Sequence, residues 1–191
     1  MDADVRNISD HMMHFGLSLL GHSLDHTLFM PENRFRPAFG ILHAAQAAEI
    51  LIKASIATEH PLLIFSELPK PSEDDSTKLT FDYLLAKGKT VQYSKLPDVL
   101  WAATGYKLQG LDKYHSFGLL RNQIQHLAVP DIDFTKVTLE YAIQVIDPLL
   151  VHFWEQRVFD ELVVEDHYIH EEGFLREVLV EHGIEYDGAL P

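Results

Sequence analysis

Arg121, Asn122 and His126 fall within one run, Phe117-Gly118-Leu119-Leu120-Arg121-Asn122-Gln123-Ile124-Gln125-His126. A guanidinium can hold a phosphate through two parallel hydrogen bonds, and an imidazole can move a proton near neutral pH. Together the two groups can cleave a phosphodiester without a metal. The asparagine between them can hold a phosphate oxygen or fix the imidazole.

The spacing predicts a helix over about Asp112 to Leu127, closed by Pro130, because the residue before a proline is pushed out of helical geometry. Tyr114, Phe117, Leu120, Ile124 and Leu127 form a core stripe at intervals of three and four, with Arg121 at its edge. His115, Leu119, Asn122 and His126 make a separate stripe opposite. Asn122 and His126 are neighbours at i, i+4, whereas Arg121 points roughly 140° away from His126 on an ideal helix. Loss of helical form near His126, or a second copy across a twofold axis, would bring the two groups together. In the last turn the helix dipole favours a protonated His126.

A helix over about Pro37 to Thr58 carries an apolar stripe of Ala38, Ile41, Leu42, Ala45, Ala48, Ile52 and Ile56, and Glu49 falls inside it. A buried carboxylate is costly unless paired. Lys53, one turn on, is the near partner and Arg121 the distant one; an ion pair explains Glu49 better than direct chemistry. Small residues on a second side, Ala44, Ala47 and Ala54 with Leu51, predict close packing on both faces, the second against another subunit, in a dimer formed through this helix and the one over about Asp112 to Leu127.

The remaining elements follow from caps and breakers. A first helix runs from about Asp10 to Phe29, capped by Ser9 or Asp10, with Met12, Phe15, Leu19, Leu24 and Leu28 near one side. A loop inserted at about 60–80 contains Pro61, Pro69, Pro71 and the polar run Ser72 to Thr77. Short helical pieces at Phe81–Lys87 and Asp98–Tyr106 are broken by Gly88 and Pro97. Asp133 caps a helix over about Phe134 to Arg157, kinked at Pro148. No strand alternation persists. The expected fold is all-α: a bundle of four main helices over 1–157 and an acidic C-terminal helical extension over 158–191. Trp101 and Trp154 are expected in the core.

Length and composition agree with one domain and an appendage: 191 residues, 47% of them hydrophobic. No stretch approaches a membrane span, and the acidic start Met1-Asp2-Ala3-Asp4 lacks a secretory pattern, so a cytoplasmic protein is expected. The absence of cysteine excludes disulfides and thiolate chemistry. The formal charge of −14 argues against nonspecific nucleic-acid binding. Eleven acids and two bases from Glu155 onward leave −9 there and −5 in the first 154 residues. Any RNA contact would be local.

The pattern Arg-Asn-x-x-x-His occurs twice, and the match at Arg6-Asn7 to His11 is set aside because Ser9 and Asp10 serve better as caps. Among the 12 histidines, His22 and His26 are four apart on the first helix, near His11 and His14, and His167 and His170 form another pair. A ferritin-like metal site needs Glu-x-x-His on facing helices, a motif absent from this chain, so half-exposed histidines without metal are expected. His115 is likewise read as a surface or core histidine.

Two segments, Leu120 to His126 and His43-Ala44-Ala45-Gln46-Ala47-Ala48-Glu49-Ile50-Leu51-Ile52-Lys53, resemble the HEPN family, all-α domains marked by arginine, a polar residue, three residues and histidine. The resemblance spans roughly Phe35 to Arg157 in helix order. It implies a metal-independent, cofactor-free endoribonuclease, commonly dimeric, of the toxin–antitoxin or antiviral kind. Arg121 and His126 would then be catalytic and Asn122 would orient them, with Glu49, Lys53 and His115 in support. RNA, a second copy of the chain and an antitoxin or other regulatory protein would be the partners, with no membrane. In one subgroup a tyrosine two residues after the histidine is adenylylated; Ala128 stands there, so that silencing route is not expected. The alternatives are a noncatalytic nucleotide- or protein-binding module and a metal-binding bundle using first-helix histidines.

Overall fold

The computed structural model describes residues 8–29, 35–70, 79–162, 173–188 and 190. Arg6, Asn7, the polar run from Ser72 to Thr77, and His167 and His170 lie outside them. Among the described residues the chain is helical, but it forms seven helical runs where four main helices were expected. These are α1 (Ile8–Leu28), α2 (Arg36–Glu59), α3 (Phe81–Lys87), α4 (Leu96–Thr104), α5 (Leu111–His126), the unbroken run α6 (Phe134–Tyr141), π turn (Ala142–Ile146) and α7 (Asp147–Trp154), and finally α8 (Phe174–Glu181).

The excess comes from short helices with their own punctuation. Thr80 caps α3 by accepting from the Tyr83 N–H, and Gly88 ends it. Pro97 sits in the first turn of α4, and Gly105 closes it in the left-handed conformation that suits glycine. Helices this short are marginal alone and persist because a face is buried: Leu84 in α3, Leu96 and Leu100 in α4, Leu175 and Leu179 in α8.

The chain divides into two compact units: residues 1–15 with 49–107, and residues 16–48 with 108–191. In the first unit Ser9 does not cap α1; its hydroxyl donates to the Ala54 carbonyl of α2 at 3.0 Å. A 3₁₀ turn (Pro61–Ile64) leads into β1 (Phe65–Glu67), which pairs antiparallel with β2 (Lys89–Thr90), Phe65 opposite Thr90. This ribbon departs from the expectation of no strands; at three and two residues it is too short to show alternation.

In the second unit α1 buries Leu17, Leu20 and Leu24. Ser23 donates its hydroxyl to the Gly40 carbonyl of α2 at 2.8 Å, and Thr27 donates to the Ser23 carbonyl at 2.7 Å. A Cβ at Gly40 would strike Thr27 Oγ1, so the helices meet at a position that admits hydrogen alone. Phe117 of α5 stacks on Tyr141 with centroids 3.8 Å apart. The π turn lies just ahead of Pro148, which has no N–H for the Gln144 carbonyl and whose ring crowds it; the helix widens there. Gly110, at φ 62, abuts the same carbonyl, 2.7 Å from where its Cβ would be.

The C-terminal stretch packs as part of this unit. Phe174 stacks on Phe29, and His182 Nδ1 lies 2.8 Å from Asp133, which caps α6. Buried Asp147 accepts from the Val158 N–H at 2.9 Å, from Arg157 at 2.7 Å and from the Tyr186 hydroxyl at 3.3 Å. Burial and then the Asp147 carboxylate push the Tyr186 phenol up to about 12.

Some expected core positions are outside the core. Phe15 is 49% exposed, Trp101 55% and Leu127 85%. Leu127 leaves helical geometry just past the end of α5, so its place on the α5 stripe is lost. Both faces of α2 are buried within one chain, from Ala38 and Ile41 to Ala44, Leu51 and Ala54, so its small-residue face is covered without the second subunit expected there. At 24 residues, with an 18-residue window of mean hydropathy 1.2, α2 is long and apolar enough to cross a membrane by length and composition, contrary to the expectation that no stretch is; 67% of that window is buried within the protein.

Gly40→Ala should cost about 1–3 kcal/mol, because Thr27 is already committed to Ser23 and cannot yield freely; urea unfolding at neutral pH measures this, and an unchanged midpoint would refute the tight crossing. The raised Tyr186 pKa contributes stability below pH 10, its ordinary value, that is lost as pH rises through about 12. Tyr186→Phe should therefore unfold less steeply than the parent across that alkaline window.

Candidate functional site

The proposed catalytic groups lie on α5, in the second unit. Gly110 begins this helix at a left-handed φ and Asp112 sits in its first turn, where a negative charge suits the dipole. Tyr114, Phe117 and Gly118 are buried and hold the inner face. Arg121 is half-buried at the edge of that face, while Asn122 and His126 are exposed. The Arg121 guanidinium donates to Asn122 Oδ1 at 2.8 Å.

His126 takes no part in that hydrogen bond. Because α5 stays helical through His126, the angular separation from Arg121 remains roughly 140° within one chain. The loss of helical form begins only at Leu127, one residue too late to turn the imidazole back. The chain thus joins Arg121 to Asn122 and leaves His126 on an exposed last turn. His115 is exposed three turns earlier, its ring edge-on to Tyr114 at 5.7 Å.

Glu49 and Lys53 belong to the first unit. Their side chains are 21% and 8% exposed, and Lys53 Nζ lies 2.7 Å from Glu49 Oε1. The ammonium also donates to Thr90 Oγ1 at 3.2 Å. Thr90 was not singled out from sequence: it lies 37 residues away on β2, and nothing in its local pattern marks it as a partner for α2. The carboxylate and the hydroxyl stand in for the water shell that the enclosed ammonium gives up. This is a scaffold interaction across α2 and the ribbon.

No group of three or more histidine, aspartate or glutamate side chains able to hold a metal occurs among the described residues. The rings of His22 and His26 lie 6.3 and 5.2 Å from that of His43 of α2. The chemistry on offer at α5 is therefore anion recognition by Arg121 and proton transfer by His126.

Glu49→Ala should destabilise the protein by about 2–3 kcal/mol, since it strands the Lys53 ammonium in a nearly closed site, with Glu49's partial solvation keeping the loss moderate. Glu49→Gln retains an acceptor at the same place and should lose less than half as much in denaturant unfolding; equal losses would show that the Lys53 contact is not what Glu49 supplies. No protein-family model, curated protein or solved structure matches the chain.

Proposed function

We propose that the chain is a metal-independent endoribonuclease of the HEPN kind, acting through Arg121, Asn122 and His126 of two copies. The observation that carries this reading is the Arg121–Asn122 hydrogen bond on the helix whose exposed last turn presents His126. From Leu108 to Pro130 the chain carries Lys113 and Arg121 against Asp112 alone; with Lys113 paired to Glu140, Arg121 is the cation of this segment that a phosphate would meet.

Asn122 holds one side of the guanidinium on the helix, and a phosphate would engage Arg121 from the exposed face. A twofold copy would place His126 of one chain beside Arg121 of the other, resolving the angular separation on a single helix. The ribose 2′-hydroxyl then attacks the adjacent phosphorus as an imidazole takes its proton. The P–O5′ bond breaks, the second imidazole protonates the leaving oxygen, and Arg121 stabilises the charge gathered on the phosphorane oxygens. The products are a 2′,3′-cyclic phosphate and a free 5′-hydroxyl. An antitoxin or other regulatory protein fits this reading as a partner.

A second reading keeps the phosphate grip without the chemistry. Arg121 and Asn122 are adjacent and already joined, so one chain can bind a nucleotide through them while His126 stands apart. The readings separate on one substitution. With RNA substrate and chelator present, the parent should yield fragments ending in cyclic phosphate, and His126→Ala should lower the rate by about 10²–10⁴-fold. RNA carrying deoxyribose at the cleavage position should survive. A His126→Ala protein that cleaves as fast as the parent, or a parent that leaves RNA intact yet binds nucleotide through Arg121, would give the second reading precedence.

A further inference from the structure

A second cluster of titratable groups lies in the same unit, between α1 and α2, and the nuclease reading makes no use of it. Arg36 Nε donates to His26 Nδ1 at 3.1 Å, and its terminal nitrogen meets Asp25 Oδ2 at 2.6 Å. The His43 ring packs 5.2 Å from His26 and 6.3 Å from His22. Phe39 covers His26 at 6.1 Å. His43 Nδ1 is buried with no hydrogen-bond partner among the described residues.

An imidazole nitrogen that accepts from a guanidinium carries no proton of its own, so His26 here is the neutral ring with hydrogen on Nε2. A proton added at Nδ1 replaces the acceptor with a donor facing Arg36: the bond is lost and two cations meet. His43 has a related constraint, because its buried Nδ1 offers a proton no acceptor. The same bond weighs against a metal at this place, since Arg36 already uses the His26 Nδ1 lone pair and leaves hydrogen on the other nitrogen.

We propose that His26, Arg36 and His43 form a proton-operated latch joining α1 to α2, closed when both imidazoles are neutral and released by acid. The charged and titratable groups facing it are His22 and Asp25 from α1 and Arg36 from α2. Burial, then Arg36, and to a lesser degree His22 hold His26 below its ordinary 6.5, against the opposing pull of Asp25. Burial, then His26 and His22, lower His43. Groups depressed in the folded state contribute stability above pH 6.5 that is lost as pH falls through their folded values. Arg36 has a second partner in Asp25, so loss of the His26 bond loosens the helix ends without freeing the arginine.

Proton NMR of the full chain between about pH 7.5 and 5 tests this, a range that spans histidine titration. The His26 and His43 ring protons should titrate with midpoints below 6.5. The Arg36 Nε–H signal should vanish in step with His26, while amides of 22–28 and 36–43 exchange faster. His26→Asn places a carbonyl acceptor near the former Nδ1 and cannot take the proton. That variant should keep the Arg36 signal throughout and show a smaller fall in Tm than the parent. An Arg36 signal that persists after His26 has titrated in the parent, or equal pH dependence of Tm in both proteins, overturns the latch. If the variant does not fold, the parent titration decides alone. RNA cleavage is not a readout, so this outcome is separate from that of the nuclease reading.

Discussion

Gly40 permits α1 and α2 to meet backbone to side chain in the second unit, and much of that unit's polar detail depends on the contact. The Ser23 hydroxyl reaches the Gly40 carbonyl only because no side chain intervenes, and Thr27 is turned back onto its own helix at the same point. Close approach fixes rotation as well as distance: a helix that presents Ser23 and Thr27 inward presents His22 and His26 along an adjoining edge. Three residues beyond Gly40, His43 then arrives against those rings. Extra bulk at Gly40 would therefore disturb ionisable groups that never touch it.

Buried charge is handled alike in both units, each considered by itself. Lys53 is enclosed with a carboxylate and a hydroxyl, and Asp147 with a guanidinium, a backbone N–H and a phenol. A buried ion left with one partner retains unsatisfied hydrogen-bonding capacity, and desolvation can then exceed the attraction. Extra partners meet that demand and tie distant chain together: β2 to α2 through Thr90, and the C-terminal stretch to α7 through Tyr186. Both links are more specific than apolar contact, since a shifted register would strand a charge.

The long helices were legible because their signals are redundant. Apolar spacing, Pro37 at one start, Asp133 at another and Pro130 past a third all point to boundaries close to those observed. The Glu49–Lys53 pair was legible for the same reason, being set by one helical turn. What escaped depends on distant chain. The short helices owe their existence to burial of a few residues (Leu84 in α3, Leu96 and Leu100 in α4, Leu175 and Leu179 in α8), so they read from sequence as pieces of a connection, and four main helices became seven runs. The ribbon and its Thr90 partner have no local signature. The exposure of Trp101 and Leu127 depends on which neighbours cover them; residue type favoured the interior for Trp101, and helix phase favoured it for Leu127. In the candidate site the residue types and helix phase were readable, whereas the Arg121–Asn122 hydrogen bond required side-chain placement.

Five residues along a regular helix is an awkward interval for two groups that must act on one phosphorus. Four would stack them on a single face, and a break in the helix would let the second turn toward the first. Neither occurs, because α5 is helical through His126. Catalysis by this trio therefore requires a surface larger than one copy of α5, whereas anion binding by Arg121 and Asn122 does not. On the nuclease reading the interval ties oligomeric state to chemistry: one copy would supply the grip on a phosphate, and an imidazole from a second copy would be needed to move the proton.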